Sequence, residues 1–150
     1  MKVNAIMSGN PACCTRETKL TEVARLMEQN DCGEIPVVDS EASMRPVGVV
    51  TDRDIVLKSI AKGRNPLEMK AGDCMTSPAV TVKPEASLDD VKKVMEDHQI
   101  RRVVVTDETG RCVGIVSQAD IALRGSKGDT GEVVKEVSKK QGAKPPSPSL

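Results

Sequence analysis

Gly48-Val49-Val50-Thr51-Asp52-Arg53-Asp54-Ile55 recurs as Gly114-Ile115-Val116-Ser117-Gln118-Ala119-Asp120-Ile121. Working upstream, Ile35-Pro36-Val37-Val38-Asp39 returns as Val103-Val104-Val105-Thr106-Asp107, 68 residues later (107 − 39). Leu20, Val23, Ala24 and Met27 stand at three- and four-residue spacing, as do Leu88, Val91, Val94 and Met95, which predicts a helix in each copy with its Met-bearing face in the core. The offset falls to 66 at the final motif (120 − 54), so the loop before it is two residues shorter in copy two. A small unit repeated twice buries its apolar face against its partner. The copies are expected to pack about a pseudo-twofold axis, with a cleft between them as the natural ligand site.

Composition narrows the function. The 150 residues contain no Phe, Tyr or Trp, and 38% are apolar, so the core is built from aliphatic side chains and methionine. Aromatic stacking platforms for single-stranded nucleic acid are absent. With 22 basic and 22 acidic residues, the basic field of a nucleic-acid binder is absent too. No apolar run has membrane-spanning length, and Met1-Lys2-Val3-Asn4-Ala5-Ile6 is no signal-peptide block, so no membrane association and a cytoplasmic location are expected. Five cysteines (Cys13, Cys14, Cys32, Cys74, Cys112), with no Cys-x-x-Cys pair, argue against a disulfide framework or zinc knuckle and read as small buried hydrophobes. A metal or thiol switch through Cys13, Cys14 or Cys32 is the alternative. One histidine, His98, has no evident acid partner, so no catalytic residues are assigned and an enzyme is not expected.

The fold class expected is α+β, each copy running strand, helix, strand, strand, helix. Short strands are expected at Ala79-Val80-Thr81-Val82 and at Ala12-Cys13-Cys14-Thr15, then pairs near 35–38 with 47–50 and 103–106 with 112–116. Ser87 with Asp90 forms a capping-box pattern; copy one has Lys19 there, leaving Thr18 as the alternative cap. A second helix over about 52–62 ends at Gly63. Asn4-Ala5-Ile6-Met7 returns as Gly72-Asp73-Cys74-Met75 ahead of each copy. The organisation read is a first repeat at 1–63, a linker at 64–72 marked by Asn65-Pro66, a second repeat at 73–125 and a tail at 126–150. In the tail, Val133, Val134 and Val137 with Glu136 and Lys140 suggest a short helix before a loose Pro-rich end.

In their order and fixed offset, Met75-Thr76-Ser77-Pro78, Val80-Thr81-Val82, Ser87-Leu88-Asp89-Asp90-Val91, Ile35-Pro36-Val37-Val38-Asp39 and the two Gly-h-h-Thr/Ser-x-x-Asp-Ile segments resemble a tandem CBS-domain protein, or Bateman module, across about residues 5–124. Thr51-Asp52-Arg53-Asp54-Ile55 and Ile100-Arg101-Arg102 particularly resemble small bacterial stand-alone members, and Met1 close to the first repeat fits that type. The resemblance implies a β-α-β-β-α unit in each copy and further pairing into a homodimer. It implies a non-catalytic sensor in signal transduction or stress response, acting on an unknown downstream protein. The implied ligand is an adenine nucleotide, AMP or ATP first, with ADP, NAD or S-adenosylmethionine as alternatives, and no covalent cofactor. A ligand-independent homodimeric scaffold, with the tail engaging a partner, is the rival.

By family position, Thr51 with Asp54 and Ser117 with Asp120 would contact a ribose, since a carboxylate accepts from both hydroxyls of a diol. The same letters also spell a helix capping box, and their repetition does not separate the two readings. Phosphate would call on Arg101 or Arg102, of which strand alternation turns one to the cleft, and on Arg53. Copy one carries Asn30, Gly33 and Glu34 where copy two has His98, Arg101 and Arg102; Glu34 would repel phosphate, so the two sites are expected to differ in affinity. His98 reads as solvent-facing or capping. Adenine would lie against Val80, Thr81, Val82, Ile35 and Pro36 by family position. Gly48 and Gly114 read as points of close backbone approach.

Overall fold

The structure is a computed structural model and describes residues 1–125; the helix and loose end read for the tail lie outside the described residues. The first repeat runs β2 (Cys14–Thr15), α1 (Leu20–Asn30), β3 (Glu34–Val38), β4 (Pro46–Thr51) and α2 (Asp52–Lys58). The second runs β5 (Thr81–Val82), α4 (Leu88–His98), β6 (Arg102–Thr106), β7 (Cys112–Ser117) and α5 (Gln118–Asp120), which widens into a turn over Ile121–Gly125. Ahead of the repeats lie a 3₁₀ turn (Val3–Ala5) with β1 (Ser8–Gly9), and α3 (Ala71–Cys74). The α+β class and the order of elements within each repeat are as the sequence implies.

Each long helix buries one stripe: Leu20, Val23 and Met27 in α1, Leu88, Val91 and Met95 in α4. Burial of each such side chain is worth about 1.5–3 kcal/mol. Ser87 caps α4 by accepting from the Asp90 N–H at 3.1 Å. Neither candidate caps α1 with its side chain: Lys19 makes no capping bond, and the Thr18 hydroxyl instead accepts from the Thr15 N–H at 3.0 Å. Both helices stop at a left-handed residue, Asp31 (φ 49°) and Gln99 (φ 53°), at equivalent places in the repeats (99 − 31 = 68). The helix expected over 52–62 breaks at Ser59, whose hydroxyl bonds back to the Ile55 carbonyl, and resumes as a 3₁₀ turn ending at left-handed Gly63.

The two sheets have strand orders β2-β3-β4 and β1-β7-β6-β5. β1 belongs to the second repeat's sheet although it precedes the first repeat, with Ser8 opposite Ile115 and Gly9 opposite Gly114. Val3 and Ile6 lie in the core with Val91, Val103 and Val116. Reciprocally, Met69, Ala71 and Cys74 lie in the core with Val23, Ile35 and Val50. Thr76 exchanges backbone bonds with Val49, at 2.8 and 3.0 Å. Each repeat thus completes its core with the lead-in segment of the other. A third cluster, Val38, Val104 and Cys112, joins the sheets between them. The close approaches at the glycines are real: a Cβ on Gly48 would sit 2.7 Å from the Thr76 carbonyl oxygen, and one on Gly114 2.5 Å from Met7 Sδ.

Candidate functional site

A cleft of about 340 Å³ opens where the repeats meet. Its walls are the lead-in residues 8–12, the turn 30–32 with Glu34, and Arg102, Ile115, Ser117 and Asp120. The volume lies within the range of small-molecule sites. The turn enters this wall because α1 ends at left-handed Asp31 and the chain doubles back into β3. Opposite it, α5 starts at Ser117, whose hydroxyl accepts from the Asp120 N–H at 3.0 Å while Asp120 Oδ2 accepts from the Ser117 N–H at 3.1 Å. This capping box consumes one carboxylate oxygen. Asp120 Oδ1 has no hydrogen-bond partner among the described residues.

Thr51 and Asp54 form the same box, at 2.9 and 3.1 Å. There the second oxygen is taken. Thr76 Oγ1 donates to Asp54 Oδ1 at 3.2 Å, and Lys58 Nζ lies 3.5 Å from the same oxygen. Lys58 also donates to the Met75 carbonyl and to Thr76 Oγ1, both at 3.2 Å. In the equivalent place to Thr76 stands Ser8 (76 − 8 = 68), whose hydroxyl makes no such bond to Asp120. The capping reading holds in both repeats, but only the second keeps an acceptor free for a ligand.

Glu34 and Arg102 face this cleft from equivalent strand starts. Glu34 is 9% exposed, and its Oε2 is fully enclosed with no hydrogen-bond partner among the described residues. Burial raises its pKa to about 7; the Arg102 guanidinium opposes that rise and the Asp54 carboxylate adds to it. Arg102 is exposed and is not within ion-pair distance of Glu34.

The other expected site residues are scattered. Arg101 is exposed and contributes its backbone carbonyl, which accepts from the Gln118 N–H at 2.7 Å. Arg53 is exposed on α2. Ile35 and Pro36 are wholly enclosed, Ile35 in the first repeat's core, because all five residues of β3 are buried. Val82 packs on the second core, and Val80 accepts from the Val104 N–H. Thr81 is exposed beside Arg45, Lys83 and Glu108 in a shallow recess elsewhere. His98 is exposed in the last turn of α4. Sequence reasoning missed residues 8–12 and Asp31 as cleft walls and treated Glu34 only as a repulsive neighbour. The available signal was a carboxylate heading an apolar strand at the position where the other repeat carries Arg102.

Cys14, Cys74 and Cys112 are buried, and Cys13 and Cys32 half-buried. Burial pushes the Cys14 thiol up to about 12. Cys13 Sγ donates to Cys112 Sγ at 3.9 Å, which holds the Cys112 pKa down and pushes that of Cys13 up. Among the described residues, no three His, Cys, Asp or Glu side chains gather closely enough to hold a metal ion. No described helix is long and apolar enough to cross a membrane.

Comparison with known proteins agrees with this architecture. The CBS domain family profile matches residues 3–60 and 71–126. Hypoxic response protein 1 of Mycobacterium tuberculosis is 38% identical over 117 residues, 78% of this chain and 80% of that protein. A crystal structure of Hypoxic Response Protein I with two coordinated zinc ions superimposes with a TM-score of 0.73 at 36% identity, covering 83% of this chain and 98% of that one. The CBS domain pair of protein MJ0100, solved with 5-methylthioadenosine and S-adenosyl-L-methionine, gives a TM-score of 0.73 at 28% identity, covering 85% and 98%. An uncharacterized protein of Methanopyrus kandleri is 34% identical over 116 residues, 77% of this chain but only 56% of that protein's length. With both repeats matched and their pairing visible, this chain belongs to the CBS domain family as a tandem pair.

Proposed function

We propose that this CBS pair is a non-catalytic regulatory module that binds one adenine nucleotide or adenosyl compound in the cleft walled by Asp120. The observation that carries it is the asymmetry of the two capping boxes. Asp120 keeps one carboxylate oxygen uncommitted at the cleft, as a ribose diol requires, whereas Thr76 and Lys58 occupy Asp54. Binding of 5-methylthioadenosine and S-adenosyl-L-methionine by a pair at 28% identity supports the ligand class. Without aromatic residues, the base would rest on Pro11, Ala12 and Ile115 and be read by backbone groups. Calorimetric titration with AMP, ATP, NAD and S-adenosylmethionine tests this: one site per chain is expected, and silence from all four at millimolar concentration would refute it.

A second observation bears on assembly. Val56, Leu57 and Ile60, on α2 and the turn after it, are 49%, 42% and 63% exposed. Three large aliphatic side chains within five residues form a face suited to a second copy of this chain. Sedimentation is expected to give a dimer, and Ile60→Glu a monomer; a monomeric wild type would refute this. Ligand-independent scaffolding would show as a dimer whose stability no nucleotide alters.

A further inference from the structure

The Glu34–Arg102 relationship goes further than the ligand class and rests on the cleft reading above. Glu34 and Arg102 open equivalent strands, β3 and β6, and both line the cleft. A buried carboxylate oxygen without a partner costs free energy that no contact within the described protein repays. The cleft's other charged walls are Asp31 and Asp120, so three carboxyl groups face one guanidinium. A polyphosphate brought here would meet Glu34 at close range and would find one arginine, on the open side. The surroundings instead suit a group that is positive on the Glu34 side and negative on the Arg102 side.

We propose that Glu34 and Arg102 together select an adenosyl compound with a zwitterionic tail, its cationic group held by Glu34 and its carboxylate by Arg102, over nucleoside phosphates. The ribose end goes to Asp120, which places the tail between the two strand starts. Because the titrating group is Glu34, affinity should fall with acidification. The titratable and charged groups around it are Arg102 from β6, Asp54 from α2, Asp31 and the Cys32 thiol on the turn before β3, and Asp120 across the cleft, and only Arg102 favours the carboxylate form.

The test is calorimetry on the full chain with S-adenosylmethionine, 5-methylthioadenosine and ATP, for wild type, Glu34→Gln and Arg102→Gln. S-adenosylmethionine is expected to bind at least about ten-fold tighter than ATP, a difference worth about 1.4 kcal/mol. Glu34→Gln should remove that preference while leaving 5-methylthioadenosine, which lacks the charged tail, within about two-fold. Wild-type affinity for S-adenosylmethionine should decline below pH 7 by up to about ten-fold per unit, and Glu34→Gln should flatten the slope. Arg102→Gln, at an exposed side chain, should weaken S-adenosylmethionine and spare 5-methylthioadenosine. ATP binding tighter than S-adenosylmethionine, or an unchanged S-adenosylmethionine affinity in Glu34→Gln, would overturn the selection while leaving the cleft a nucleotide site. Failure of all three ligands to bind would refute the site itself.

Discussion

Asp54 and Asp120 occupy the same place in the two repeats and make the same capping box, yet Thr76 Oγ1 donates to Asp54 at 3.2 Å while Asp120 Oδ1 is left open. The sequence is nearly symmetric at these positions; the hydrogen bonding is not. One carboxylate therefore serves structure, and its counterpart has an oxygen to spend on a ligand.

Asp54→Asn and Asp120→Asn should separate these roles. Asp54→Asn loses a charged cap and its contact with Lys58, so thermal unfolding of the ligand-free protein should reveal a loss of about 1 kcal/mol or more, with ligand-induced stabilisation intact. Asp120→Asn should cost a similar cap contribution and abolish the ligand-induced rise in Tm. Equal loss of that rise in both variants would refute the assignment.

Thr76→Ala frees Asp54 Oδ1 from its hydroxyl donor. Calorimetry on this variant is expected to show a weaker second site appearing beside the first. Unchanged stoichiometry would refute the idea that this hydroxyl is what withholds Asp54 from a ligand.

Glu34 makes stability depend on pH. Its folded pKa, about 7, lies above the ordinary value of 4.5, so between these values the folded state holds a proton that the unfolded state has released. Stability accordingly falls as pH rises through that window, and the penalty is full above about pH 7. Its size is on the order of 3 kcal/mol. Urea unfolding of Glu34→Gln should show a gain over wild type at pH 8 that exceeds its effect at pH 4 by about that amount. The same difference at both pH values would exclude a buried ionised Glu34.

The two strand glycines should respond differently to an added methyl. Gly48→Ala drives its Cβ to 2.7 Å from a backbone oxygen that is fixed by the Thr76–Val49 bonds. Gly114→Ala meets the flexible end of Met7 first. Denaturant titration should rank Gly48→Ala as the more destabilising, by about 1 kcal/mol or more.

Val3 tests the exchange of lead-in segments. It is fully buried in the second repeat's core, and its N–H donates to the Ala86 carbonyl at 2.9 Å. Val3→Ala should cost about 2 kcal/mol. Hydrogen exchange should show that the loss of protection falls mainly in β6 and β7, not in the adjacent first repeat.

What could be known from the chain alone was whatever neighbours in sequence decide. The stripe Leu88, Val91, Met95 announces α4, Ser117 and Asp120 announce a helix start, and Gly63 announces its helix's end, because periodicity, capping and backbone freedom act over three or four residues. The doubled motif extended this to the pairing of the two repeats. Long-range contact decided the rest. That Thr76 reaches Asp54, that Val3 completes the distant repeat, and that Ile35 and Pro36 are sealed inside depends on segments brought together by packing. Glu34 shows the difference most plainly: its charge is written in the sequence, but its burial, its unpartnered oxygen and its place opposite Arg102 exist only once two sheets enclose it.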